Sequence, residues 1–319
     1  MRFRPIPTTL STALLAVAYG YLAYFLFSNP STGLEAFSWS FVMLVPYSLG
    51  VITVYLAKEA NRSSLLYAVL MPWLACLVLA AVLVAITFGL LLCFVISVPI
   101  FFPAASIGGV SVWLIRKDQR AMMVLLLLTL LAPYATSPVE AQFDPPRRMT
   151  TTHTQIVIDA DVETVWNLIK SVSPIQQTEQ RFNWLHMIGL PKPVAATLSY
   201  EGVGGVRDAY FENGLRFDET ITEWIHHERI RFDIVETSET LLPAPLNLID
   251  GERFDVVDGM YEIEPLADGT IMLHLTSEHF LTSHFNQYGA YWTDLIMRDL
   301  QNYILDIIKV RAEQVAVTG

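Results

Sequence analysis

Glu219 and His279 are the side chains of this sequence best suited to move a proton, and each sits in a stretch where apolar and polar residues alternate. Glu219 is in phase with Leu215, Phe217 and Ile221, so a sheet that buries that face also buries a carboxylate. Burial raises the pKa of such a group and makes it a candidate for proton transfer or for holding a ligand hydroxyl. Trp224 is out of phase with Phe217, which points to a bulge that could turn Glu219 outward. His279 is in phase with Ile271, Leu273 and Leu275, and an imidazole on an apolar face can orient a ligand or serve as general acid or base. A satisfied histidine at a cavity rim is the plainer reading. Tyr210, Tyr261 and His186 join an apolar body to a polar tip, and Phe217 and Trp292 lie on the apolar sides of their elements. These seven residues form the candidate ligand-binding set, and most aromatic residues in such positions simply fill a core.

Other chemistries find little support. His274, His279 and His284 recur five apart, but an odd step along a strand puts neighbours on opposite faces, and no Cys or acidic cluster stands at a zinc-binding spacing. No metal and no cofactor is expected. The run Gly202-Val203-Gly204-Gly205 lacks the Gly-Lys-Ser/Thr of a phosphate loop and precedes a strand-like segment, so it reads as a turn. No Gly-x-Ser-x-Gly elbow occurs, and both cysteines, Cys76 and Cys93, lie far upstream in apolar stretches. Covalent acyl chemistry in the C-terminal half is therefore unsupported.

The elements that must position these residues can be read from the pattern. A β-branched stretch at 154–158 precedes Asp161, a suitable N-cap for a helix through Lys170 with Val162, Val165, Trp166 and Ile169 on one side. Period-two segments come next, at 196–201, 206–212, 215–224, 229–236, 254–264 and 270–283. Turns at 202–205, Asn213-Gly214, His226-His227-Glu228 and Asp268-Gly269 separate several of them, and Asn213-Gly214 is a strong hairpin signal. A helix over about 286–310 closes the chain, with Tyr288, Tyr291, Trp292, Leu295, Ile296, Leu300, Tyr303, Ile304 and Ile307 at three- and four-residue steps. Asp294 and Arg298 are placed to pair on its other side.

The segment from Gln155 to Ile169, the Phe217–Trp224 strand and the terminal helix resemble the START-like, or SRPBCC, superfamily, and within it the polyketide cyclase/dehydrase and lipid-transport branch. The resemblance covers about residues 153–313. It implies an α+β helix-grip fold, a curved antiparallel sheet wrapped around a long C-terminal helix, with a cavity between them for lipids, sterols, polyketides or other apolar molecules. It carries over no catalytic residue. The multi-span N-terminus lies outside the common single-domain pattern.

That N-terminus is of a different nature. The stretch 65–115 runs 51 residues without Asp, Glu, Lys or Arg, or ~77 Å as a helix against a bilayer core of ~30 Å, so it holds more than one span. About five transmembrane helices are expected, at 9–27, 37–57, 65–86, 90–115 and 121–138, with the third and fourth meeting near Phe88 and Gly89. Pro99 and Pro103 should kink or locally unwind the fourth. Residues 1–139 hold seven basic and three acidic residues, leaving thirteen basic and 28 acidic for 140–319. The basic residues fall at Arg2 and Arg4, at 58–62 and at 116–120, and a five-span path puts all three groups on the cytoplasmic side. The expected organisation is a membrane domain over 1–139, a linker over 140–152, a helix-grip domain over 153–313 and a tail over 314–319. The short fifth segment resembles a span or a cleavable secretory signal; either exports the C-terminal half, whereas an interfacial helix would leave that half cytoplasmic. The expected partners are the lipid bilayer, as an inner or plasma membrane protein with its C-terminal domain extracytoplasmic, and a hydrophobic small molecule or lipid. Nucleic acid is excluded by the acidic balance. The function read from the sequence is binding or transfer of a lipid or other apolar molecule. The alternatives are a cyclase or hydratase using Glu219 and His279, and a non-catalytic module that recognises another envelope protein.

Overall fold

The computed structural model describes residues 8–35, 38–86, 90–238 and 252–318, in two compact units, Met1–Pro145 and Pro146–Gly319. The expected meeting point at Phe88 and Gly89, and the basic residues Arg2 and Arg4, lie outside the described residues.

The first unit is helical: α1 (Thr8–Phe27), α2 (Val45–Tyr55, entered through a π-turn at Ser40–Leu44), α3 (Glu59–Arg62), α4 (Leu65–Ile86), α5 (Leu90–Leu114) and α6 (Gln119–Glu140). Among the described residues, α4, α5 and α6 are long and apolar enough to cross a membrane, while Leu14–Phe27 and Ser40–Tyr55 are apolar but shorter. Asp118 accepts from the backbone N–H groups of Arg120 and Ala121 and so starts α6 ahead of its apolar run. That makes α6 a helix of 22 residues rather than the short segment read from hydropathy. Neither Pro99 nor Pro103 interrupts α5, which is continuous through both. Pro72 offers no N–H to the carbonyl of Ala68, and Gly109 of α5 lies so close to that oxygen that a Cβ there would stand 2.1 Å away. Small residues allow such helix contacts where lipid gives no hydrophobic drive to associate.

Among the described residues of the second unit, seven antiparallel strands form one curved sheet in the order β1-β7-β6-β5-β4-β3-β2. They are β1 (Arg147–Ile158), β2 (Pro193–Leu198), β3 (Val206–Phe211), β4 (Arg216–Ile225), β5 (Arg229–Glu236), β6 (Phe254–Pro265) and β7 (Ile271–Thr282). Between β1 and β2 come α7 (Val162–Lys170) and the single turn α8 (Trp184–Met187), and α9 (Asn286–Thr318) comes after β7. Asp161 caps α7 as expected, accepting from the Thr164 N–H at 2.8 Å. The core joins both layers: Trp166 and Ile169 of α7, Ile230, Ile263 and Leu273 of the sheet, and Leu305 and Ala312 of α9 are all buried.

Two expected boundaries are corrected. The linker to residue 152 is shorter, because β1 begins at Arg147 and pairs with β7 without a break from Thr282 to Ile271. Thr152 is buried under α9 and Arg147 stacks on Phe280, so those residues have partners that a polar, proline-flanked sequence does not advertise. The last helix does not stop near 310 but runs to Thr318. Arg311 holds that extension with a two-pronged contact to Glu179 at 2.6 and 2.9 Å and further bonds to the carbonyls of Ser173 and Pro174.

Candidate functional site

Three residues from three strands build the polar heart of the second unit. The hairpin between β3 and β4 turns through Glu212–Gly214, where Asn213 and Gly214 take positive φ of 62° and 79°. This three-residue turn sets Arg207 opposite Glu219. Both side chains point to the concave face, and they form a salt bridge while Arg207 is 5 % exposed. Tyr261 of β6, 3 % exposed, reaches the same guanidinium. Burial alone would make Arg207 easier to deprotonate, but the charge of Glu219 and the hydrogen bonds of Glu219 and Tyr261 outweigh it and raise its pKa. Burial pushes the Tyr261 phenol up to about 12 despite the opposing pull of Arg207, so it is a hydrogen-bonding group and not an acid at neutral pH.

The suspected bulge exists, but at Thr222. The β4–β5 register shifts between Ile221 and Glu223. It therefore acts beyond Glu219, which stays inward, and brings Trp224 round to pack edge-on against Trp166 at 5.1 Å.

Between the sheet and α9 lies a cavity of about 190 Å³. Its wall is almost wholly apolar, with Phe217, Phe232 and Leu275 from the sheet and Met297, Leu300 and Ile304 from α9. Arg207, Glu219, Tyr261, Ser277 and Gln301 supply its polarity. Gln301 is committed to the scaffold. Its amide donates to Ser277 Oγ at 2.7 Å and its carbonyl accepts from Thr154 Oγ1 at 2.9 Å, which fastens α9 onto β1 and β7.

Of the seven residues expected to line a site, Tyr210, Phe217, Glu219 and Tyr261 border this cavity. Tyr210 does so only at the rim. Its ring lies under the Arg216 guanidinium, 5.3 Å from the centroid, and Arg216 pairs with Asp208 and Asp218. His186, Trp292 and His279 are not in the lining. The Nδ1 of His186 is 2.9 Å from the Leu190 carbonyl and its ring meets Tyr303 edge-on. Trp292 packs edge-on with Tyr288 and Tyr291 on α9. His279 is fully buried and has Phe254 as its ring neighbour, and among the described residues neither ring nitrogen has a hydrogen-bond partner. Burial lowers its pKa against the weaker pull of Asp294. Glu219 and His279 are not brought together: β5 and β6 separate their strands, a gap of roughly 14 Å at ~4.8 Å per strand.

Sequence reasoning missed Arg207, Ser277 and Gln301. Ser277 could have been found, since it shares the phase of Leu275 and His279.

No protein-family model and no curated protein sequence matches this chain. Among solved structures, a START superfamily protein from Mycobacterium smegmatis is similar at 9 % identity and a TM-score of 0.35, over 52 % of this chain and 98 % of that one. A truncated norcoclaurine synthase from Thalictrum flavum is similar at 12 % identity and a TM-score of 0.33, over 51 % and 92 %. An uncharacterised protein from Rhizobium leguminosarum is similar at 12 % identity and a TM-score of 0.34, over 53 % and 97 %. The fold of the second unit is START-like. Its sheet order and long closing helix are those of a helix grip, and the buried Arg207–Glu219 pair borders the cavity between them.

Proposed function

We propose that the START-like unit binds a small apolar molecule, and that the helical unit anchors it to a bilayer. The cavity between sheet and α9 carries this reading. Its volume exceeds the ~150 Å³ of an apolar cavity that takes benzene and falls below the ~300–1,000 Å³ of clefts for drug-sized ligands. A ligand of one or two rings, or one short acyl chain, fits that range, and a whole two-chain phospholipid does not. Affinity would come from apolar burial at ~25 cal/mol per Å² before association costs. Arg207, Glu219 and Tyr261 would orient one polar oxygen. Because Glu219 balances Arg207, a neutral hydroxyl or carbonyl suits the site better than a free anion.

The proton-transfer alternative through Glu219 and His279 loses its support, since the two side chains stand on strands separated by two others and Glu219 is engaged by Arg207. A filled interior was the condition for the interaction-module alternative, and the cavity weighs against it.

The test is a titration of the full chain in nanodiscs with a naphthalene-based fluorescent probe, together with mass spectrometry of extracted small molecules. Saturable binding that Ala209→Trp abolishes is expected, because Ala209 is buried on the cavity wall. Binding left intact by Ala209→Trp in a folded protein would refute the proposal.

A further inference from the structure

A second group of side chains lies away from the cavity, where the first turn of α7 meets the β4–β5 turn. Glu163 stands in that first turn. In the β4–β5 turn, His227 has φ of 64°, a left-handed conformation that costs a non-glycine residue energy and persists where surrounding contacts impose it. The turn stacks the rings of His226 and His227 at 3.8 Å between centroids, and both rest edge-on against the buried Trp166 at 5.4 and 5.8 Å. Glu163 Oε2 stands 2.6 Å from His227 Nε2. Among the described residues that nitrogen has no hydrogen bond of good geometry, although the carboxylate is in close contact with it. The other carboxylate oxygen, Oε1, accepts from Asn167 Nδ2 at 2.9 Å, which orients the group from behind. One donor atom from each of Glu163, His226 and His227 lies within 4.8 Å of the other two.

We propose that Glu163, His226 and His227 bind a divalent transition-metal ion. Two imidazoles and one carboxylate are a donor set for Zn²⁺, Ni²⁺, Co²⁺ or Cu²⁺, and a poor one for Mg²⁺ or Ca²⁺, which take oxygen ligands. Bonds of ~2.0–2.1 Å to a tetrahedral ion require donors about 3.4 Å apart. Small rotations of these partly exposed side chains supply that closure. Three protein ligands leave one position for water or another small ligand, and Asn167 would be the outer group that fixes the carboxylate. The bound ion would tie α7 to the β4–β5 turn, on either side of Trp166. The site escapes a search for ligand spacing because its residues come from elements some sixty positions apart. It is independent of the cavity and of what the cavity binds.

The experiment is metal titration of the full chain, purified without a histidine tag and stripped with chelator. Zn²⁺ is followed by calorimetry and Co²⁺ by its visible ligand-field bands. One-to-one binding is expected. His227→Ala and Glu163→Gln should each weaken it by tenfold or more, and Asn167→Ala by about tenfold. Zn²⁺ should raise the Tm of the native chain and leave that of Glu163→Gln unmoved. Glu163 is exposed, so Glu163→Gln tests the site even if the turn variant folds poorly. His153 and His274, whose ring nitrogens approach to 3.1 Å on the sheet, are the control, and His274→Ala should leave the affinity unchanged. No saturable one-to-one binding, binding that survives in both Glu163→Gln and His227→Ala, or binding lost in His274→Ala would overturn the proposal.

Discussion

Placing Arg207 in the interior takes a guanidinium out of water, and its salt bridge to Glu219 offsets that cost. Removing one partner leaves the other charge buried alone. Glu219→Gln should therefore destabilise the START-like unit by about 3–5 kcal/mol, whereas Arg207→Met combined with Glu219→Leu should cost far less, since apolar replacement of a buried pair is often neutral. Thermal and denaturant unfolding of the two variants checks this, and equal losses would show that the pair is not acting as a unit. His279 calls for the opposite substitution. Among the described residues neither of its buried ring nitrogens is hydrogen-bonded, a penalty of roughly 1–3 kcal/mol, so His279→Leu should raise Tm. The pH dependence has a definite sign. Burial holds the folded-state pKa of His279 below its ordinary value, and His186 is lowered for the same reason. Below about pH 6.5 the unfolded chain takes up protons that the folded one refuses. Their stabilising share is complete above that pH and lost as pH falls through the folded-state values. Tm should decline on acidification, and less steeply in His279→Leu. An unchanged slope would show that His279 is not buried as a neutral ring.

The elements explain which features could be read from the sequence and which could not. The Asp161 cap and the alternation of β4 and β7 are local patterns, and each stands where the residues indicated. The apolar side of α9 is only partly so: Tyr303 and Ile307 are buried, but Tyr291 is 63 % exposed and Met297, Gln301, Leu305 and Ile308 carry much of the contact. Long-range pairing is different. With a two-residue Asn213-Gly214 turn, Asp208 would face Glu219, but the turn takes three residues and Arg207 faces it instead. One residue of turn length thus decides whether the cavity holds a salt bridge or two repelling carboxylates. The Thr222 bulge was legible as a break in phase, yet its position along β4 was not, because either side of Glu219 restores Trp224 to the core. The segment 147–152 reads as polar linker because its partners, β7 and α9, lie more than a hundred residues downstream. His279 shows the limit of phase as a guide. It points to the predicted face, but the cavity ends short of it, and no local pattern encodes where a cavity ends.

At the scale of the whole molecule, two units of opposite character share one chain: helices apolar enough for lipid, and a START-like unit dominated by acidic residues. Their junction at Pro145 and Pro146 makes the path of α6 decisive for the side of a bilayer on which the second unit would lie. At 22 residues α6 would reach ~33 Å, enough for a ~30 Å core. The basic groups at 58–62 and 116–120 favour the cytoplasmic side for the loops that precede α4 and α6. Were α6 to cross, the second unit would follow it on the side opposite those loops. The natural cysteines are both in the first unit, so a single thiol in the second can be read cleanly once Cys76 and Cys93 are replaced. Val203 is 63 % exposed in the glycine-rich turn before β3 and suits this purpose. Val203→Cys in the full chain should react with a membrane-impermeant maleimide in intact cells, to the same extent as after lysis. Reaction only after lysis would place the unit in the cytoplasm and turn α6 into a helix that returns to, or rests on, the side from which it started.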